Sequence, residues 1–122
     1  MPDSHPRALI ALLLLAECGL LGVFAAGDLV FSCGGVGATP DDHTRQAAGL
    51  ALGVPLLRHP EAVAELEAQF GRDAYPNRIR MTEFPEGSAI IPNPVNRVAS
   101  FSIRHHHFFP GFPQMAWPML DW

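Results

Sequence analysis

The chain has 122 residues, 48% of them hydrophobic and only 16% charged, with eight arginines, no lysine and twelve acids for a net charge of −4. High hydrophobicity with little charge excludes a generic disordered chain, and the lack of a basic stripe excludes a polyanion-binding surface, so no nucleic-acid partner is expected. Twelve prolines and eleven glycines argue against a regular, densely hydrogen-bonded domain.

Residues 1–7 form a short polar start with a single arginine, Arg7. Ala8 to Gly27 then runs for twenty residues with one ionisable member, Glu17. A helix of that length spans the roughly 30 Å hydrocarbon core of a bilayer. The spacing therefore predicts a single transmembrane helix over 8–27. Its length and flanks favour a retained anchor over a cleaved signal peptide. Arg7 before the segment and Asp28, Asp41 and Asp42 after it place the N-terminus in the cytoplasm. The expected location is thus the cell membrane, with the C-terminal part periplasmic or extracellular. A carboxyl such as Glu17 in a bilayer faces protein more readily than lipid. Cys18, Gly22 and Ala26 recur every four residues, a stripe that permits close helix approach. Glu17, Cys18, Gly22 and Ala26 are the expected helix-packing residues.

Residues 28–38 end in Gly34-Gly35-Val36-Gly37-Ala38, which reads as a flexible Gly-rich linker. No Lys-Ser or Lys-Thr follows it, so it does not match a phosphate-binding loop. Residues 39–72 carry two helix starts. Thr39-Pro40-Asp41-Asp42 offers an N-cap, a proline at the first helical position and favourable acids, for a helix from Pro40 to Leu52 stopped by Gly53. His59-Pro60-Glu61 opens a second helix, which Gly71 closes. Residues 73–122 are proline-rich and extended. Val95 to Arg104 alternates as one strand would, with no convincing second strand to pair with it. The expected fold class is a single-pass transmembrane α-helix followed by a small, largely irregular extramembrane segment with two short helices and at most one or two strands.

Chemistry-bearing residues are few. His105 and His107 project to one side of an extended backbone and are candidate metal ligands, although a closed zinc site needs about four. Cys18 and Cys33 stand too far apart for a disulfide if the helix is straight. No hydrolase, metalloprotease or c-type haem motif is present, so no catalytic residue, no cofactor and no enzymatic activity are expected. The tail is aromatic. Phe108, Phe109, Phe112, Trp117 and Trp122 are expected partner-binding anchors, because large aromatics dominate contact energies.

These features together imply a noncatalytic accessory or structural subunit of a larger membrane complex, bound to integral membrane subunits and the lipid bilayer. Energy-transducing assemblies of respiratory electron transport and photosynthesis contain small subunits of this architecture. The alternative is a membrane-anchored or secreted metal-binding or metal-delivery protein using the cluster His105 to His107.

Overall fold

A computed structural model describes residues 29–38 and 42–121. The strand Val30–Cys33 (β1) opens the described part. It is followed by the helix Thr44–Leu52 (α1), the strand Leu56–Arg58 (β2) and the helix Pro60–Phe70 (α2). Two 3-10 turns, Gly71–Ala74 and Arg78–Thr82, lead to the strands Glu83–Pro85 (β3) and Ala89–Ile91 (β4). Ser100–Ile103 (β5), His106–Phe109 (β6) and the short helix Pro113–Met119 (α3) complete the chain.

Among the described residues four strands form one mixed sheet in the order β1-β6-β5-β4, and β2 and β3 make a separate antiparallel ribbon. β1 runs parallel to β6, with Val30 opposite His106 and Cys33 opposite Phe109. β5 and β6 form a hairpin in which Ile103 faces His106 across the two-residue turn Arg104-His105. Strand residues alternate between the two faces of a sheet. On one face Ala99, Phe101, Ile103 and Phe108 join Ala48 of α1, Ala62 of α2 and Phe84 of β3 in the main core. Phe84, Phe101 and Phe108 stack in sequence there, with ring centres 5.0 and 4.3 Å apart. On the other face Ile91 and Phe109 pack under Met119 of α3. Both sides of β4 to β6 are therefore covered, which is the layered arrangement of an α/β domain.

This architecture corrects the expected irregular extramembrane segment. Several of the prolines that argued against a regular domain lie where no ladder N–H is needed. Pro92 and Pro110 follow strands, and Pro60 and Pro113 stand at helix starts. The strand expected over Val95–Arg104 shortens to Ser100–Ile103, ended by Arg104 at φ 55°. Its missing partner is the stretch His106–Phe109, part of the histidine run and the aromatic tail from which metal ligands and partner-binding anchors were expected. α1 begins at Thr44, later than Pro40, while α2 starts at Pro60 and ends at Gly71 where the sequence signals stand. The span 8–27 and its packing residues Glu17, Cys18, Gly22 and Ala26 lie outside the described residues. Among the described helices none is long and apolar enough to cross a membrane.

Candidate functional site

β1 and β6 end side by side, and the chain leaves both strands at the same edge of the sheet. From β1 it enters Gly34-Gly35-Val36-Gly37-Ala38. From β6 it enters Pro110-Gly111-Phe112. The Gly34 amide donates to the Phe109 carbonyl at 2.8 Å, which locks the two exits together. Between them, and against the turn Asn93–Asn96, opens a cleft of about 370 Å³. It lies outside the carboxyl ends of parallel strands, where open α/β sheets bind their ligands.

The glycine loop is held from behind by two neighbours at the start of α1. Thr44 donates its hydroxyl to the Gly34 carbonyl at 3.0 Å and its amide to the Gly35 carbonyl at 3.0 Å. Arg45 donates Nε to the Val36 carbonyl at 3.2 Å and Nη2 to the Gly37 carbonyl at 2.9 Å. Four successive carbonyls thus point to one side. In a trans peptide the N–H lies opposite the C=O. The amides of Gly35, Val36, Gly37 and Ala38 are consequently turned away from the carbonyls that Thr44 and Arg45 hold, and these four residues line the cleft. Successive amides presented in this way form a concavity suited to an anion. Gly35 is required for the arrangement. Its φ is +72°, and a Cβ there would collide with Thr44 Oγ1.

Arg45 is almost fully enclosed, at 1% exposure. Its Nη1 also donates to the carbonyls of Arg80 at 2.8 Å and Glu83 at 3.1 Å, so one side chain ties the loop to the approach to β3. Burial pulls the guanidinium below its usual pKa, and the Glu83 carboxylate opposes that shift. A cation with this many acceptors stays charged, so the positive charge sits directly behind the loop.

Asn93 shapes the far wall. It is buried, its Oδ1 accepts from the Val95 amide at 3.0 Å, and its Nδ2 donates to the Val98 carbonyl at 3.2 Å. Ser100, the first residue of β5, lies on the cleft lining with 1% exposure.

Of the candidate site residues named from the sequence, Phe112 lines the cleft, and the other described ones lie elsewhere. His106 is buried, its Nε2 is 2.6 Å from Ser32 Oγ, and its ring stacks on Phe108 at 4.2 Å. Burial, then the neighbouring His105 and His107, depress its pKa to about 4. His107 sits on the opposite face, with Nδ1 2.7 Å from Ser102 Oγ, and His105 occupies the hairpin turn. Among the described residues no group of three or more His, Cys, Asp or Glu is placed to hold a metal. Phe108 and Phe109 are enclosed in the chain's own core at 0% and 3% exposure, whereas Phe112 and Trp117 are exposed. Trp122 lies outside the described residues, and Cys33 is a free thiol. Sequence reasoning missed the glycine loop, Asn93 and Ser100. The available signal was the order strand, glycine run, helix start, which places backbone amides at a strand exit even without a Lys-Ser/Thr pair.

Residues 16–122 match the family described as probable molybdopterin binding domain, and the chain belongs to that family. It is 43% identical over 103 residues to a CinA-like protein of Sulfurihydrogenibium sp. (strain YO3AOP1), an alignment covering 82% of this chain and 24% of that protein. A CinA-like protein of Anaeromyxobacter sp. (strain Fw109-5) is 38% identical over 93 residues, covering 70% of this chain and 23% of its own length. The chain thus spans about a quarter of the length of these curated relatives. The fold is shared with the crystal structure of the protein CinA with unknown function from Thermoplasma acidophilum, at a TM-score of 0.76 and 20% identity, over 99% of this chain and 85% of that one.

Membership overturns the membrane assignment. The match begins at residue 16, inside the apolar stretch 8–27, so the greater part of that stretch belongs to the sequence of an α/β domain. Segments buried in such domains read as continuous apolar runs, and hydropathy alone does not separate them from membrane spans. The accessory subunit of a respiratory or photosynthetic complex, its integral membrane partners and its location in the cell membrane all rested on that helix and are withdrawn. The metal-delivery alternative is withdrawn as well, since His106 and His107 are engaged with Ser32 and Ser102 and the family is described by a pterin ligand.

Proposed function

We propose that this chain is a binding domain for a phosphorylated pterin of the molybdopterin type, held in the cleft between the glycine loop and the Asn93–Asn96 turn. The family's description supplies the ligand class. The observation that carries the reading is the row of carbonyls from Gly34 to Gly37 drawn back by Thr44 and Arg45, which leaves the loop's amides for an anion such as the ligand's phosphate. Most of the groups present fit the compound, the Asp42 carboxylate against Gly37 being the exception. The buried Arg45 charge lies behind the loop, and Val36, Phe112 and Met115 offer apolar surface to a flat heterocycle. When bound, molybdopterin supplies a dithiolate, a soft metal ligand. The part played by this chain is to hold and orient the compound, so we read it as a binding domain rather than an enzyme.

Titration with 6-hydroxymethylpterin phosphate, followed by pterin fluorescence, tests the proposal. The wild-type chain should bind, and inorganic pyrophosphate should compete. Gly35→Ala forces a side chain against Thr44 and should reduce affinity roughly a hundredfold, as displacement of two or more charge-assisted hydrogen bonds implies. Absence of binding by the wild type, or equal binding by Gly35→Ala, would remove the reading.

A further inference from the structure

Among the described residues, four with polar side chains line the cleft: Asp42, Asn93, Asn96 and Ser100. Three have duties within the fold. Asn93 uses both ends of its amide on the turn it builds. Asn96 accepts from the Val98 amide at 3.0 Å and donates to Met115 Sδ at 3.5 Å. Asp42 lies against Gly37 and acts electrostatically on Arg45. Ser100 differs. Its hydroxyl is buried, and it has no hydrogen-bond partner among the described residues. A hydroxyl that donates once and accepts twice is costly to leave unpaired inside a protein, and such groups are uncommon. Next to a ligand cleft, the orphan hydroxyl indicates a partner that arrives with the ligand.

The sheet fixes where that partner must lie. Ser102 pairs with His107, and continuing that antiparallel register sets Ser100 opposite Phe109, which in turn pairs with Cys33 at the root of the glycine loop. Ser100 is therefore two strands away from the loop, about 10 Å at the usual strand spacing. A ligand whose anion rests on the glycine loop reaches Ser100 only with its opposite end. In a phosphorylated pterin that end is the ring's lactam, an adjacent C=O and N–H, which complements a hydroxyl acting as donor and acceptor.

We propose that Ser100 is the specificity residue that reads the lactam edge of the heterocycle, so that the cleft selects a ligand with an anion at one end and an N–H/C=O edge about 10 Å away. This rests on the assignment of the cleft to a phosphorylated pterin.

The test compares wild type and Ser100→Ala with three probes: 6-hydroxymethylpterin phosphate, its N3-methyl derivative and inorganic pyrophosphate. Ser100→Ala should weaken the pterin phosphate roughly ten- to a hundredfold, as loss of a hydrogen bond that a site was built to make does. Pyrophosphate binding should stay within about twofold, since its partners are untouched. N3-methylation should weaken binding to the wild type and change little for the variant, the mark of two groups that contact each other. Ligand-free Ser100→Ala should melt at or above the wild-type temperature, because it removes an unpaired polar group. A lower melting temperature with equal losses for pterin and pyrophosphate would assign the hydroxyl a structural duty and overturn the proposal. Unchanged pterin affinity in Ser100→Ala, with Gly35→Ala impaired, would overturn this inference alone. No pterin binding by the wild type would overturn it together with the assignment of the cleft.

Discussion

Two short runs of a single residue type stand at opposite ends of the same strand pair. Glycines 34 and 35 follow β1 where it ends beside β6, and histidines 105 to 107 lead into β6 where it begins beside β1. The histidines carry the richer side-chain chemistry, yet their rings go to packing. His106 stacks on Phe108 and pairs with Ser32, and His107 stacks on Phe31 and pairs with Ser102. Neighbours on a strand point to opposite faces, so these two imidazoles diverge. The glycines bring no side chain at all, but a loop pinned from one side presents its amides on the other. A site depends on groups left over after folding has used its share, and here those groups belong to the backbone.

That contrast is broken most directly at Arg45. Its guanidinium reaches the carbonyls of Val36, Gly37, Arg80 and Glu83. Arg45→Met preserves much of the volume but leaves these acceptors buried without donors. Each such loss costs about 1–3 kcal/mol, and together the expected destabilisation in urea unfolding is about 3 kcal/mol or more. Arg45→Lys should recover little, since an ammonium cannot reproduce the planar fork. Unfolding of Arg45→Met at the wild-type midpoint would show that the loop is not clamped from behind.

The sequence disclosed the helix Pro60–Phe70 because its signals are local, a proline at the start and Gly71 at the end. It disclosed the alternation of Phe101 and Ile103 for the same reason. The sheet was not legible, because β1 and β6 are 76 residues apart at Val30 and His106 and no local pattern records their pairing. His106–Phe109 lacks strict polar alternation, since His106, Phe108 and Phe109 are all buried, one face under the main core and the other under Met119. The cleft was hidden more completely. Its amides come from a loop whose geometry is set by Arg45, a residue that reads from sequence as an ordinary surface cation. Ser100 is one serine among several until its enclosure is seen.

His106 sharpens the comparison from the other end. Its ring is neutral in the fold, with a pKa of about 4, whereas the unfolded chain titrates at about 6.5. Between these values the unfolded state binds the extra proton. The contribution is therefore complete above about pH 6.5 and is lost as the pH falls toward 4, at no more than about 1.4 kcal/mol per pH unit. His106→Gln should flatten the acid limb of the stability profile relative to wild type across that window, while pterin binding at pH 7 stays as it was. Parallel profiles for the two proteins would mean that the ring is not held neutral by its burial. A loss of pterin binding would mean that the two ends of the strand pair are not independent.

The smallest effect is expected at Trp117, a residue whose size and position in an aromatic tail mark it as an anchor. α3 has seven residues with Pro118 inside it, too short and too interrupted to persist without packing. What fixes it is Met119, fully enclosed against Ile91 and Phe109, together with Met115 and Ala116. Trp117 points the other way and is 71% exposed. Truncating it removes little surface from contact, so Trp117→Ala should change the unfolding free energy of the isolated chain by less than about 0.5 kcal/mol. Urea unfolding of the variant beside the wild type measures this. A loss above about 1 kcal/mol would place the indole in a packed position and move the attachment of α3 from Met119 to Trp117.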